Sequence, residues 1–318
     1  MKIWLVGSGG MAIDYAKVLS GMGADYEVIG RGDNSAATFE AAVGCKVRRG
    51  GLMANLEAIR DQDKSCAIVC VGSEALSLAA IQLLNHGFKR ILVEKPAGLS
   101  LVELSELNAR ASENGASVFV AYNRRFYSSV RHLRKLINED GGVTSLNFEF
   151  TEWAHQIEPL VKAPGVKERW LLGNSTHVID LAIFLAGSPI EFECRRSGGF
   201  SWHPSGSVFV GSGLTNSGAL FSYQANWAAP GRWGIELCTS RYRFILRPLE
   251  TLQVIEKGSI AVQSIAVEDS DIDKKFKPGL FRQVEAFIND SSSEFLCPIE
   301  DQLANARFYI EIAGYGLK

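Results

Sequence analysis

The stretch Lys2-Ile3-Trp4-Leu5-Val6-Gly7-Ser8-Gly9-Gly10-Met11-Ala12 constrains the fold of this chain more than any other. An apolar run of strand length leads into Gly-x-Gly-x-x-Ala, and Tyr15, Val18, Leu19 and Met22 follow at helical spacing. A strand that turns so tightly into a helix is the opening of a dinucleotide-binding unit. Gly7 permits the turn, Gly9 lets the backbone approach a pyrophosphate, and Ala12 keeps the helix near the sheet. The helix N-terminus offers unpaired N–H groups to phosphate. Gly7, Ser8, Gly9, Gly10, Met11 and Ala12 are therefore the candidate cofactor-binding loop.

Over the next hundred residues the same alternation continues. Ile3–Val6, Tyr26–Ile29, Ala67–Val71, Arg90–Val93 and Ser117–Ala121 read as buried strands. Between them lie helical stretches such as Leu76–Asn85 and Leu101–Glu113, the latter capped by Ser100. Short apolar strands separated by helices predict a doubly wound parallel sheet. After a further helix at Phe126–Ile137 the period falls to two. Leu146, Phe148 and Phe150 alternate with polar residues, as do Phe221, Tyr223, Ala225 and Trp227, then Trp233, Ile235 and Leu237, then Tyr242, Phe244 and Leu246. Such segments predict an antiparallel sheet with one face on a core. The fold class is thus α/β: an N-terminal Rossmann domain at 1–122, then an α+β domain at 123–318 on an open, mostly antiparallel sheet. The last helix, from about Glu300, is expected to pack back on the first domain.

Gross composition narrows the partners. A net charge of -2 argues against nucleic acid or a membrane surface. No apolar run reaches membrane-span length, and with the first strand beginning at once no signal peptide is expected. The six cysteines show no metal-ligand spacing, and Cys66 and Cys70 fall within one apolar strand, so a reducing, cytoplasmic setting is expected. His86, His132 and His203 lack metal spacing and read as loop or helix-surface residues.

Two further segments carry chemistry. The strand Ile91-Leu92-Val93 ends in Glu94-Lys95-Pro96, where proline holds Lys95 extended at the ligand-facing edge of the sheet. An ammonium there can hold a substrate hydroxyl and stabilise oxygen charge. In Asn174-Ser175-Thr176-His177-Val178-Ile179-Asp180, capping residues precede an apolar helix stripe, which puts His177 in the first turn. Asp180 lies three residues on, close enough to hydrogen-bond the imidazole and set its tautomer.

With Gly7-x-Gly9-x-x-Ala12, Glu94-Lys95-Pro96, Ala121-Tyr122-Asn123-Arg124-Arg125-Phe126 and His177-x-x-Asp180 in this order, the chain resembles the Gfo/Idh/MocA family of glucose–fructose oxidoreductase and inositol dehydrogenase. The resemblance implies a bound nicotinamide cofactor, with Lys95, His177 and Asp180 serving hydride and proton transfer. It adds Val71, Glu94, Lys95 and Asn123 to the cofactor contacts. It also implies a homodimer or homotetramer built on the second sheet.

The pattern departs from the family at instructive places. Many relatives carry an acidic residue four before the histidine; here that residue is Gly173. Asn174 can replace it as a substrate ligand but not as a base. Strand Tyr26–Ile29 ends without the carboxylate that an NAD site uses for the ribose, and Arg31 follows. Glu27 comes too early and Asp33 late, so NADP is the expected cofactor, with NAD the alternative. On the substrate side, Trp153, His155, Lys167, Arg169 and Asn174 lead towards His177, a mixture suited to a polyhydroxylated ligand.

The expected activity is interconversion of a secondary alcohol and a ketone on a sugar, cyclitol or sugar-derived substrate. Lys95, Arg169, Asn174 and His177 are the expected substrate contacts. Two readings compete: a cofactor-binding sensor without turnover on the same fold, and an imine or enone reductase using the same residues.

Overall fold

A computed structural model describes residues 2–57, 66–289 and 294–316. The chain forms two compact units, Met1–Tyr122 with Lys275–Ala304, and Asn123–Lys274 with Asn305–Leu317. The second domain expected over 123–318 is therefore interrupted, because residues 275–304 belong to the first unit. Composition could not reveal this return, since the helix Leu280–Ile288 is amphipathic like any other surface helix.

In the first unit, β1 (Ile3–Val6), β2 (Tyr26–Ile29), β3 (Val47–Arg48), β4 (Cys66–Val69), β5 (Arg90–Glu94) and β6 (Ser117–Ala121) form a parallel sheet. Every residue of β1 and β4 is buried, as a sheet covered on both faces requires. Trp4 packs on Phe88 with ring centroids 5.4 Å apart. The spatial order is β3-β2-β1-β4-β5-β6, so the strand order reverses between β1 and β4. Ligands of doubly wound sheets bind beyond the carboxyl ends of the strands at that reversal.

The second unit holds an eight-stranded sheet of β7 (Ser145–Glu149), β8 (Pro189–Ser197), β9 (Val208–Thr215), β10 (Leu220–Asn226), β11 (Gly234–Cys238), β12 (Tyr242–Leu246), β13 (Gln253–Glu256) and β14 (Gln263–Ser264). A short β15 (Cys297–Pro298) closes the edge of the first sheet by pairing antiparallel with β6. All neighbours in the second sheet run antiparallel except β7 and β10, which pair in parallel at its centre. On the covered face Phe148, Phe150 and Tyr223 stack at centroid separations of 5.5 to 6.3 Å. The apolar helix Thr176–Ala186 packs against β7. The opposite face carries Asn147, Ser222, Glu236 and Arg243 with the exposed Val210 and Leu220. Among the described residues no helix is long and apolar enough to cross a membrane, and all six cysteines are free.

Candidate functional site

In the first unit the glycine turn sits where the strand order reverses. Gly7 has φ +128°, and a Cβ there would lie 2.6 Å from the Cys70 carbonyl oxygen at the end of β4, so no larger residue fits. Gly9 and Gly10, by contrast, face open space. Gly9 caps the helix Gly10–Gly21 with no side chain bonded to its N–H groups, leaving the positive end of the helix for an anion. These residues line a cavity of about 740 Å³ together with Ser8, Met11, Arg31, Ser35, Gly51, Met53, Val71 and Glu74. Ala12 is fully buried beneath it and holds the helix close to the sheet. A dinucleotide fits the features present: a backbone cradle, a free helix end, and small residues where side chains would intrude.

Arg31 lines that cavity beyond the end of β2. Glu27 is held by Lys2 and by Arg48, the latter at 2.8 Å. Asp33 meets Arg49 at 3.3 Å and is largely exposed. Arg31, exposed at the end of β2, packs its stem over Gly51.

Glu94, Lys95 and Pro96 follow at the end of β5. The Glu94 carboxylate accepts from the buried Tyr15 hydroxyl at 2.7 Å, so it serves the protein interior and does not line the cavity. Burial raises the pKa of Glu94, and the Lys95 charge opposes that rise. Burial, followed by the Glu94 charge, likewise raises that of Tyr15. The Lys95–Pro96 peptide is cis. Gln302, itself buried, donates to the Pro96 carbonyl at 3.0 Å and accepts from the Tyr122 hydroxyl at 3.0 Å. Lys95 thus sits on a segment fixed from two sides.

The second unit carries the histidine. A π-helical turn at Leu171–Ser175 feeds the helix Thr176–Ala186, and His177 occupies its first turn. Such turns recur at functional sites because they re-aim the residues that follow. The His177 ring is buried, 6.0 Å from the centroid of Trp233. Trp233 also carries the guanidinium of Arg124 at 4.6 Å and that of Arg232 at 4.4 Å, the latter also over Trp153 at 4.7 Å. Burial lowers the pKa of Arg124.

Asp180 has a partner that its spacing does not predict. Both of its oxygens accept from Arg125, at 2.6 and 2.8 Å, in a buried ion pair. The pairing was hidden because 55 residues separate the two. Its one signal in the sequence was a second arginine in Arg124-Arg125 that a compact domain must either expose or pair. Asn123 is buried at the start of the same 3₁₀ turn, Asn123–Phe126.

Of the substrate-side candidates, Trp153 joins the cluster of His177, Arg232 and Trp233, donating its indole N–H to the Gly231 carbonyl at 2.9 Å. Lys167 donates to the Glu158 carbonyl, Arg169 covers the Tyr315 ring at 4.6 Å, and His155 lies exposed on the short helix Ala154–Ile157. His203 is not a surface residue: it is fully buried, with Nε2 2.6 Å from the Tyr315 hydroxyl and Nδ1 2.8 Å from the Gly206 carbonyl. The residue that spacing did not reveal is Glu152, buried at the head of the His177 helix, where Asn174 and Ser175 donate to it.

Residues 1–122 match the model of an oxidoreductase family with an NAD-binding Rossmann fold. The YceM protein of Salmonella typhimurium is 29% identical over 207 residues, covering 64% of this chain and 58% of that protein. Glucose-6-phosphate 3-dehydrogenase of Bacillus subtilis is 30% identical over 151 residues, 47% of this chain and 42% of that protein. The chain spans about half the length of the curated relatives it matches. Among solved structures, UDP-N-acetylglucosamine 3-dehydrogenase from Acidithiobacillus ferrooxidans superposes with a TM-score of 0.77 at 14% identity, covering 100% of this chain and 98% of that one. Levoglucosan dehydrogenase in complex with NADH and levoglucosan gives 0.78 at 17% identity, covering 99% and 96%. Likeness at these identities establishes the fold.

Proposed function

We propose that this chain, whose residues 1–122 match the Gfo/Idh/MocA oxidoreductase-family model, is a member of that family and interconverts a secondary alcohol and a ketone on a sugar-like substrate with NADP(H). The observation that carries the reading is the Gly7 turn, whose Cβ-free backbone and uncapped helix end open on the cavity beside Arg31. The nicotinamide, when bound, accepts or supplies the hydride. Lys95 holds and polarises the reacting oxygen, and His177 takes the alcohol proton or returns it. Asp180 supports this through Arg125, which ties the 3₁₀ turn Asn123–Phe126 to the histidine helix.

Arg31 favours the 2′-phosphate of NADP because both carboxylates nearby in sequence, Glu27 and Asp33, are paired with other cations. Named activities of the relatives define the test panel: D-glucose 6-phosphate, UDP-N-acetylglucosamine and levoglucosan, each with NADP and with NAD, followed by nicotinamide absorbance. Turnover of at least one, faster with NADP, is expected. Cofactor binding with no turnover across a widened set of sugars and cyclitols would favour the sensor reading. The exposed sheet face around Val210 and Leu220 is the proposed contact between copies of this chain, and light scattering reads that directly.

A further inference from the structure

The sequence has Gly173 where an acidic residue is expected, yet the fold brings a carboxylate, Glu152, to the neighbouring Asn174. Glu152 lies three residues beyond the end of β7 and is 2% exposed. Its two oxygens accept from Asn174 Nδ2, each at 3.0 Å, and Oε1 also accepts from the Ser175 hydroxyl at 2.8 Å. Arg232, lodged against Trp153 and Trp233, reaches Oε2 at 3.7 Å.

An ionised carboxylate can only accept, so the Asn174 amide must turn its nitrogen towards Glu152. Its oxygen then faces away, and no donor among the described residues takes it. Asn174 stands three residues ahead of His177, one helical turn from the proton-transfer group. Building on the alcohol–ketone reading, we propose that Glu152 is a positioning residue that locks Asn174 as a hydrogen-bond acceptor. The substrate must then offer a donor beside the alcohol that His177 deprotonates. The class selected is a diol or hydroxyketone, as in a sugar ring, and not an isolated alcohol.

Glu152→Gln keeps the shape but can donate as well as accept, which frees the amide to flip; Glu152→Asp keeps the charge. The Asn174 side-chain amide is followed by isotope-edited NMR in the cofactor-loaded protein, its signal assigned by its loss in Asn174→Asp. That signal moves in Glu152→Gln and stays near its original position in Glu152→Asp. With whichever panel sugar turns over, Glu152→Gln raises KM about tenfold while kcat stays within about threefold, as for one lost hydrogen bond to bound substrate. Cofactor affinity is unchanged, and Glu152→Asp recovers most of the loss. An amide signal indifferent to Glu152→Gln, or an unchanged KM, overturns the proposal. If no sugar turns over, the alcohol–ketone reading fails separately, and the amide signal alone decides the role of Glu152.

Discussion

Arg125 grips both oxygens of Asp180 at 2.6 and 2.8 Å, with the two side chains only 5% and 1% exposed. The pair joins the turn after β6 to the helix that begins at Thr176, and the Arg125 guanidinium also lies 4.9 Å from the Phe184 ring. The pair gives Asp180, three residues after His177, a partner that its place in the sequence does not reveal.

Removing one member leaves a buried charge without its partner, which costs about 3–5 kcal/mol. Asp180→Ala is therefore expected to lower the urea midpoint of the second unit sharply. The double variant Asp180→Leu/Arg125→Met is expected to recover much of that loss. Denaturant melts of both variants check this, and equal loss in the two would contradict it.

At Gly7 the expected lesion is steric. Gly7→Ala places a Cβ 2.6 Å from the Cys70 carbonyl at φ +128°, a conformation that costs about 1–3 kcal/mol before the clash is counted. The variant is expected to lose both stability and cofactor binding. Thermal melts with and without NADP measure it: the ligand-induced rise in Tm expected of the wild type should vanish.

The proposed preference for NADP rests on Arg31. Replacing it with Asp removes a charge-assisted contact worth about 1.5–3 kcal/mol and adds a repulsive charge. The ratio of kcat/KM for NADP over NAD is expected to fall at least tenfold, by about the lower limit of that range. Steady-state kinetics with both cofactors under one buffer condition checks it, and an unchanged ratio would remove Arg31 from the 2′-phosphate site.

Acid sensitivity is expected from Asp140. Its carboxylate accepts from the Thr239 hydroxyl at 2.6 Å, the Ser240 hydroxyl at 2.9 Å, and the Arg241 backbone N–H and guanidinium at 2.9 and 2.5 Å. These bonds, Thr239 foremost, hold its pKa below the ordinary carboxylate value. The folded value being depressed, the stabilisation is complete above the unfolded pKa, about 3.9, and is lost as pH falls through the folded value. Asp140→Asn should flatten the acid limb of a stability–pH curve while leaving its slope near neutrality unchanged.

The first unit was legible because parallel strands buried on both faces leave continuous apolar runs. Tyr26–Ile29, Ser117–Ala121, Leu76–Asn85 and Leu101–Glu113 emerge with the bounds that periodicity gives, and Ser100 caps the last by accepting from the Glu103 N–H. Strand direction was not legible in the second unit. Period-two alternation says which face is buried but not which way a neighbour runs, so the parallel pairing of β7 with β10 came only from the structure. Strand β9 was hidden by Gly211 and Gly213, which interrupt its apolar pattern. Both glycines make room for rings of β10: a Cβ on either would come within 2.7 Å of Tyr223 or Phe221. The motif residues Gly7, Lys95 and His177 could be named in advance because each sits at a chain turn with its own sequence signature. Glu152 and Arg125 could not, since their partners lie 22 and 55 residues away and only the fold brings them together.

The proposed chemistry has Lys95 and His177 act on the oxygen of an alcohol from which hydride leaves. Its most direct measurement is single-turnover nicotinamide reduction by Lys95→Met and His177→Ala, each first shown by titration to bind NADP as the wild type does. Each variant is expected to lose about 10²–10³ in the rate of the chemical step with cofactor affinity preserved. Wild-type rates in either variant would contradict it.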